Sequence, residues 1–176
     1  QCHVNVVQMK EFVEYNNYQS ELTYLTTDKA RMEYVSGLIE KVSQSGNTLV
    51  LVDRIKAGGL ICDNLPQANF VSGAMKSTDR KDQYDNINEG TNQIVVATYG
   101  VAAVGINIPR IFNLVLIEPG KSFVRVIQSI GRGIRKAEDK DYLKVIDLTS
   151  NLKYSKRHLT KRKVFYKEKE FRQSNR

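Results

Sequence analysis

Three short runs in this chain, LVLV at 49–52, IVVA at 94–97 and LVLI at 114–117, are apolar at every position instead of at every second one. A strand with one wet face alternates apolar and polar residues, so unbroken runs need cover on both faces. The architecture that supplies this cover is a mainly parallel sheet with helices on both sides, an α/β fold. Strands are predicted at 4–9, 48–52, 69–71, 93–98, 113–117 and 143–148. Helical periodicity fills the gaps. Residues 28–44 place Val35, Leu38, Ile39 and Val42 on one face, with Thr27 as N-cap and Gly46 as stop. Ser77 is the expected cap of a helix running to Glu89 and stopped by Gly90, and Ser122 that of a helix running through about Arg135. In parallel sheets ligands bind beyond the carboxyl ends of the strands. Function is therefore sought in the loops after Val52, Val71, Thr98 and Ile117.

Composition removes several alternatives. A chain of 176 residues, 41% hydrophobic, is one domain with room for a real core. Two cysteines, Cys2 and Cys62, do not make a disulfide scaffold and point to a reducing, cytoplasmic setting. Two histidines, His3 and His158, form no cluster at zinc spacing, and no metal site is expected. The uncharged stretch 90–109 has spanning length, but its polar residues, glycines and proline make it a short buried strand running into a glycine-containing loop. No membrane is expected as a partner. The chain starts at Gln1 with no secretory signal after it, and is read as a piece of a longer or cleaved protein.

Charge is distributed unevenly. Residues 1–150 carry equal numbers of acidic and basic side chains, so the whole net charge of +8 falls in residues 151–176. That tail reads as a basic helix bearing Tyr154, Phe165, Tyr166 and Phe171, not as a further strand–helix unit. It either meets a polyanion or packs on the body as a solvated terminal helix.

The segment with most chemistry is QSIGRGIR, 128–135. At roughly 100° per residue, Arg125, Gln128, Arg132 and Arg135 project within about 80° of one another. Gly131 and Gly133 cost roughly 1 kcal/mol each against alanine in a helix, so either something approaches that backbone or the helix bends. Permanently charged, planar guanidinium groups suit phosphate; the plainer reading is an exposed basic helix face. The string is not a dinucleotide fingerprint, since it lacks the third glycine and does not follow a strand.

In order along the chain stand LVLVDR at 49–54, a glycine turn and helix from Gly73 through Arg80 to Gly90, ATYGVAAVGINIP at 97–109, and QSIGRGIR. This set resembles the second RecA-like domain of superfamily two helicases over residues 25–150. The resemblance implies a RecA-like domain in residues 1–150, with 1–24 an entry strand and linker from an N-terminal RecA-like domain of the same parent chain. It implies that Arg132 and Arg135 reach the γ-phosphate of ATP across an interdomain cleft, and that Gln128 couples nucleotide to nucleic acid. Gly105 and Asn107 match a Gly-x-Asp turn near the ribose, with asparagine standing for the usual aspartate. Thr98 matches a threonine that meets a nucleic-acid phosphate, and Asp53, Arg54, Gly73 and Arg80 fall in the strand-contacting motifs. The implied function is the motor half of an ATP-dependent DNA helicase or translocase acting on branched DNA, including R-loops with their RNA, in recombination and repair.

No G-x-x-x-x-G-K-[ST] phosphate loop occurs in these residues, and no acidic strand end to hold Mg²⁺. ATP and Mg²⁺ are therefore expected to be held mainly by the N-terminal domain, and this chain alone to be inactive as an ATPase. Asp139 and Asp141 are read as solvated. The alternative from another class is a non-catalytic nucleic-acid-binding or annealing module with a RecA-like shape.

Overall fold

A computed structural model describes residues 2–121, 123–134, 142–169 and 171–175. The elements run in the order β1 (Cys2–Met9), α1 (Tyr18–Thr27), α2 (Lys29–Ser43), β2 (Thr48–Val52), α3 (Ile55–Asn64), β3 (Asn69–Val71) and α4 (Ser77–Glu89). They continue as β4 (Ile94–Thr98), α5 (Tyr99–Val104), β5 (Asn113–Ile117), α6 (Phe123–Ile134), β6 (Leu143–Ser150), α7 (Lys153–Glu168) and β7 (Arg172–Asn175). The strands form one sheet in the order β3-β4-β2-β5-β6-β1-β7, and every pairing is parallel.

The all-apolar runs are buried on both faces, as their sequence requires. Leu49, Leu51, Val95, Ala97, Leu114 and Leu116 join a core that also takes in side chains of α4, α5, α6 and α7. Val50, Val52, Ile94, Val96, Val115 and Ile117 point the other way, onto α2 and α3. The carboxyl ends of all strands share one edge, which gathers Asp53, Ser72, Thr98, Glu118 and Asn151.

Several local expectations are corrected. Asp28, not Thr27, caps α2, its carboxylate accepting from Arg31 N at 3.0 Å. Thr27 is the last residue of α1, a helix that the entry-strand-and-linker reading of 1–24 did not foresee. The α2 helix ends at Ser43, and Gly46 serves the turn after it, with φ +144 and Phe112 packed where a side chain would stand. Ser77 is the first residue of α4, whose N-cap is Lys76. The expected loop after Thr98 begins with a helix, α5, and α3 forms despite its paired glycines. Ser122, expected to cap α6, lies outside the described residues, as do Asp139 and Asp141.

The tail is the largest correction. It forms a helix as expected, but the chain goes on to add β7 beside β1, completing a further helix–strand unit. Helix α7 is docked by a buried ionic clasp. Arg162 donates Nε and Nη2 to the two oxygens of Asp147 on β6, both at 2.8 Å, and Nη1 to the Pro119 carbonyl at 2.8 Å. The Tyr166 hydroxyl donates to the same carboxylate at 2.6 Å. Burial, then the Asp147 charge, pushes that hydroxyl's pKa up, which keeps it a donor. Phe123, Phe165 and Tyr166 meet edge to face beneath it. The start of α7 is capped from a distance: Glu21 on α1 accepts from Tyr154 N at 3.1 Å and Ser155 N at 2.9 Å.

A second buried group joins α2, β5 and α7. Glu118 accepts from Arg31 Nη2 at 3.0 Å, Ser155 Oγ at 2.9 Å and Thr149 Oγ1 at 3.2 Å. Its backbone φ is +44, an uncommon value for a side chain-bearing residue. Burial outweighs these partners and pushes the carboxyl from 4.5 up to about 7.

Two predictions follow from these buried charges. Arg162→Ala should leave Asp147 uncompensated at a loss of about 3–5 kcal/mol. A calorimetric scan should then show Tm falling by roughly 6–20 °C for a domain of this size. For Glu118, the folded state holds the proton more tightly than the unfolded chain. Its contribution to stability is full below about 4.5 and is lost as pH rises to about 7. The Tm difference between the parent and Glu118→Gln should accordingly shift in the parent's favour on acidification through that window. A pH-independent difference would reject the assignment.

Candidate nucleic-acid and nucleotide interface

Thr98 ends β4 and begins α5. Its Oγ1 accepts from Val101 N at 3.3 Å, capping the helix. With one lone pair committed to the cap, the hydroxyl proton remains available to donate outward at the carboxyl edge. Gly73 sits across from it: a Cβ there would stand 3.7 Å from Val101 Cγ2, so the two loops adjoin. The Tyr99 side chain turns inward and donates to the Ile117 carbonyl at 2.9 Å, which fixes α5 against the end of β5.

At the other end of α5, Gly105 adopts φ +110 and its N–H donates to the Ala102 carbonyl at 3.0 Å. Only glycine takes that conformation without strain. No atom lies within 4 Å of where its Cβ would be, so this backbone is open to an incoming group. Asn107 is exposed two residues on, between the buried Ile106 and Ile108. Gly105 and Asn107 share one cleft of about 670 Å³ with Arg80, Lys81 and Tyr84 of α4 and Ser129 of α6. Ser129 Oγ donates to the Ala103 carbonyl at 3.1 Å, tying α6 to α5. Val104, 80% exposed, stands at the rim.

Helix α6 has the phase its sequence implies. Phe123, Val126 and Ile130 are buried, while Arg125 and Gln128 are exposed. The helix continues through Gly131, Arg132 and Gly133 to Ile134. Gln128 and the Arg132 backbone thus lie on the element that lines the cleft, and Arg135 lies outside the described residues.

Asp53 and Arg54 behave differently. Arg54 donates Nε to Asp53 Oδ2 at 2.7 Å and Nη1 to Thr23 Oγ1 on α1 at 3.0 Å. The pair is turned towards α1 and away from the cleft holding Arg80, Gly105 and Asn107. Asp53 Oδ1 is buried and, among the described residues, has no hydrogen-bond donor. Sequence reasoning missed Thr23, Lys81, Tyr84 and Ser129. Only Lys81 and Tyr84 carried a signal, one and four residues after Arg80 on the same helix.

Helix α7 has one buried and one basic, exposed face. Ser155, Leu159, Arg162, Phe165 and Tyr166 are buried, while Lys153, Lys156, Arg157, Lys161, Lys163 and Lys167 are exposed. Among the described residues there is no group of three or more His, Cys, Asp or Glu side chains able to hold a metal ion. No described helix is long and apolar enough to cross a membrane.

Residues 30–137, from α2 to beyond α6, match the helicase conserved C-terminal domain. The chain belongs to this helicase family. ATP-dependent DNA helicase uvsW of Enterobacteria phage T4 is 30% identical over 136 residues, 74% of this chain and 27% of the phage protein. Putative helicase 22 of a Sulfolobus islandicus filamentous virus is 29% identical over 120 residues, 65% of this chain and 21% of that protein. The helicase domain described here thus spans a minor part of each relative's length. The crystal structure of T4 UvsW superposes with a TM-score of 0.86 at 24% identity, covering 99% of this chain and 41% of that one. Saccharomyces cerevisiae Dbp5 bound to RNA and ADP BeF3 superposes at 0.65 with 16% identity, covering 98% and 41%. The fold is accordingly that of RecA-like helicase C-terminal domains, tail included.

The dual role of the Thr98 hydroxyl gives a prediction. Thr98→Val removes the α5 cap and should cost about 1 kcal/mol of stability. Thr98→Ser keeps both the cap and the outward proton. Chemical denaturation should rank serine with the parent and valine below it; equal stability for all three would mean the cap contributes nothing.

Proposed function

We propose that this domain is the C-terminal motor half of an ATP-dependent DNA helicase or translocase, working against an N-terminal RecA-like domain of the same parent chain. The observation that carries the reading is that one cleft joins Gly105 and Asn107 to Arg80 of α4 and to α6, the helix bearing Gln128 and Arg132. Membership of the helicase family supports it.

ATP and Mg²⁺ fit this face as a contact from one side. Gly105 leaves open space, Gln128 and Asn107 are exposed, and no phosphate loop is present in the chain to enclose a triphosphate. When bound, ATP with Mg²⁺ supplies the free energy of its terminal phosphoryl bond. The part assigned to this chain is to complete the site. Arg132 and Arg135 place permanent positive charge against the γ-phosphate and stabilise charge that develops on transfer. Gln128, Gly105 and Asn107 register the nucleotide's position. Thr98 donates its hydroxyl proton to a strand phosphate, and Gly73 and Arg80 border the same strand. Asp53 and Arg54 hold α1 against that edge.

The preference for DNA follows the likeness to the phage T4 DNA helicase. We extend it to branched substrates such as forks, junctions and R-loops, with RNA met in the last, and so to recombination, repair and replication. Fork regression and R-loop unwinding by the full-length parent, set against an unbranched duplex, test that extension.

In the full-length parent, Arg132→Ala and Arg135→Ala should each lower DNA-stimulated ATP hydrolysis by about 10³-fold, with Tm unchanged. A change under about threefold for both would favour an annealing module with a RecA-like shape.

A further inference from the structure

The 10–17 loop between β1 and α1 holds a phenylalanine in water. Phe12 is 94% exposed, yet the loop around it is pinned at several points. Glu11 N donates to Asn151 Oδ1 at 2.8 Å, and the Glu11 carboxylate accepts from the Tyr24 hydroxyl at 2.6 Å and Arg31 Nε at 3.1 Å. Further on, the Asn16 carbonyl accepts from the Tyr154 hydroxyl at 3.1 Å, and Tyr15 packs 5.6 Å from the Tyr24 ring. A loop fixed at both ends holds that ring in solvent at a defined position.

What lies beside Phe12 indicates the partner's chemistry. The loop and the first half of α7 enclose a cleft of about 630 Å³, whose α7 wall carries the exposed Lys153, Lys156 and Arg157. Three carboxylates also line the cleft. Glu11 is paired with Arg31, and Glu21 is buried and accepts from the start of α7 at Tyr154 and Ser155, so Glu14 alone is exposed beside three exposed cations. The exposed lining of the cleft is therefore net positive, with a free aromatic at its mouth. Cations that track phosphates, beside aromatic rings on which bases stack, are the two components of a single-strand site. A duplex would satisfy the cations and leave the ring without a base to stack on.

The cleft also reaches towards the carboxyl edge of the sheet. Tyr15 lines it and equally lines a neighbouring groove of about 490 Å³ over α1, formed with Gln19, Thr23 and Tyr24. Thr23 in turn accepts from Arg54 at the carboxyl end of β2. One trough thus runs from Arg54 across α1 to the basic face of α7.

We propose that this trough is a second nucleic-acid site, which takes a single strand leaving the motor face. Phe12 and Tyr15 stack its unpaired bases, and Lys153, Lys156 and Arg157 meet its phosphates. The proposal rests on the nucleic-acid reading given above, and the experiment separates the two.

The chain contains no tryptophan, so Phe12→Trp introduces a single indole reporter at the mouth of the trough. Its emission should be quenched by oligo(dT) and not by heparin, a polyanion without bases. Fluorescence anisotropy with labelled oligo(dT) should show Phe12→Ala weakening binding roughly tenfold while Phe12→Tyr retains it. Lys156→Glu with Arg157→Glu should weaken binding and reduce the salt slope by about 1.4, from 0.7 per single-strand phosphate contact. Lys41→Glu, exposed on α2, should change nothing. An unquenched indole with unaltered affinity for Phe12→Ala, while Thr98→Val or Arg80→Ala loses affinity, overturns the trough and leaves the motor reading standing. Equal quenching by heparin also overturns it, reducing the site to a cationic patch. If the parent chain does not bind oligo(dT) at low salt, the nucleic-acid reading fails and the trough with it.

Discussion

The Asp147 carboxylate is fully buried on a central strand, and the structure is arranged around satisfying it. An isolated carboxylate there would be untenable, so Arg162 must be brought from α7 and Tyr166 with it. Once those two are in place, Phe165 and Tyr166 cover the sheet beside Phe123, and α6 gains the surface on which it rests. The third bond of Arg162, to the Pro119 carbonyl, holds the turn from β5 towards α6. The placement of Gln128 and Arg132 therefore depends on a residue some thirty positions downstream, in what looks by charge like a dispensable tail.

A parallel logic operates at the carboxyl edge. Glu118, Arg31, Glu11 and Glu21 link β5, α2, the 10–17 loop and α1 to the start of α7. These groups turn three carboxylates inward on that side of the molecule. The exposed lysines of α7 have no ion pair with these inward-turned carboxylates, and the sheet edge is stiffened where loops would otherwise be loose. Packing and surface potential are set by the same side chains.

How much of this could be read from sequence varies by element. The interior strands were legible because burial on both faces forces a run such as LVLV, and β2 and β5 begin and end where predicted, as does the edge strand β3. Helix α5 was obscured by Gly100 and Gly105, although Thr98 sits in a good capping position. Helix α3 was hidden by Gly58 and Gly59. Strand β7, RQSN, carries no apolar pattern, since an edge strand is held by backbone pairing. Within the tail nothing local distinguishes the buried Arg162 from the exposed Arg157; only its partner on β6 does. The glycine turn at Gly105 was legible through motif order, whereas the turning of Arg54 towards Thr23 depends on α1, which had not been foreseen.

The position of β1 bears on how such a sheet can assemble. The first strand of the chain lies between the last two, β6 and β7, in full parallel register with the former. Its hydrogen-bonding partners are thus almost a whole chain length away. Contacts of such long range make folding slow, because the loop must close before any pairing rewards it. During synthesis β1 would emerge before the rest of this sheet and wait, with both edges unpaired, until nearly all of its other strands had been made. The half of the sheet built from β2 to β5 has no such delay and can form around its local crossovers. Assembly would then proceed from the motif-bearing strands outward, with the insertion of β1 and the closing of α7 as its final, joint event.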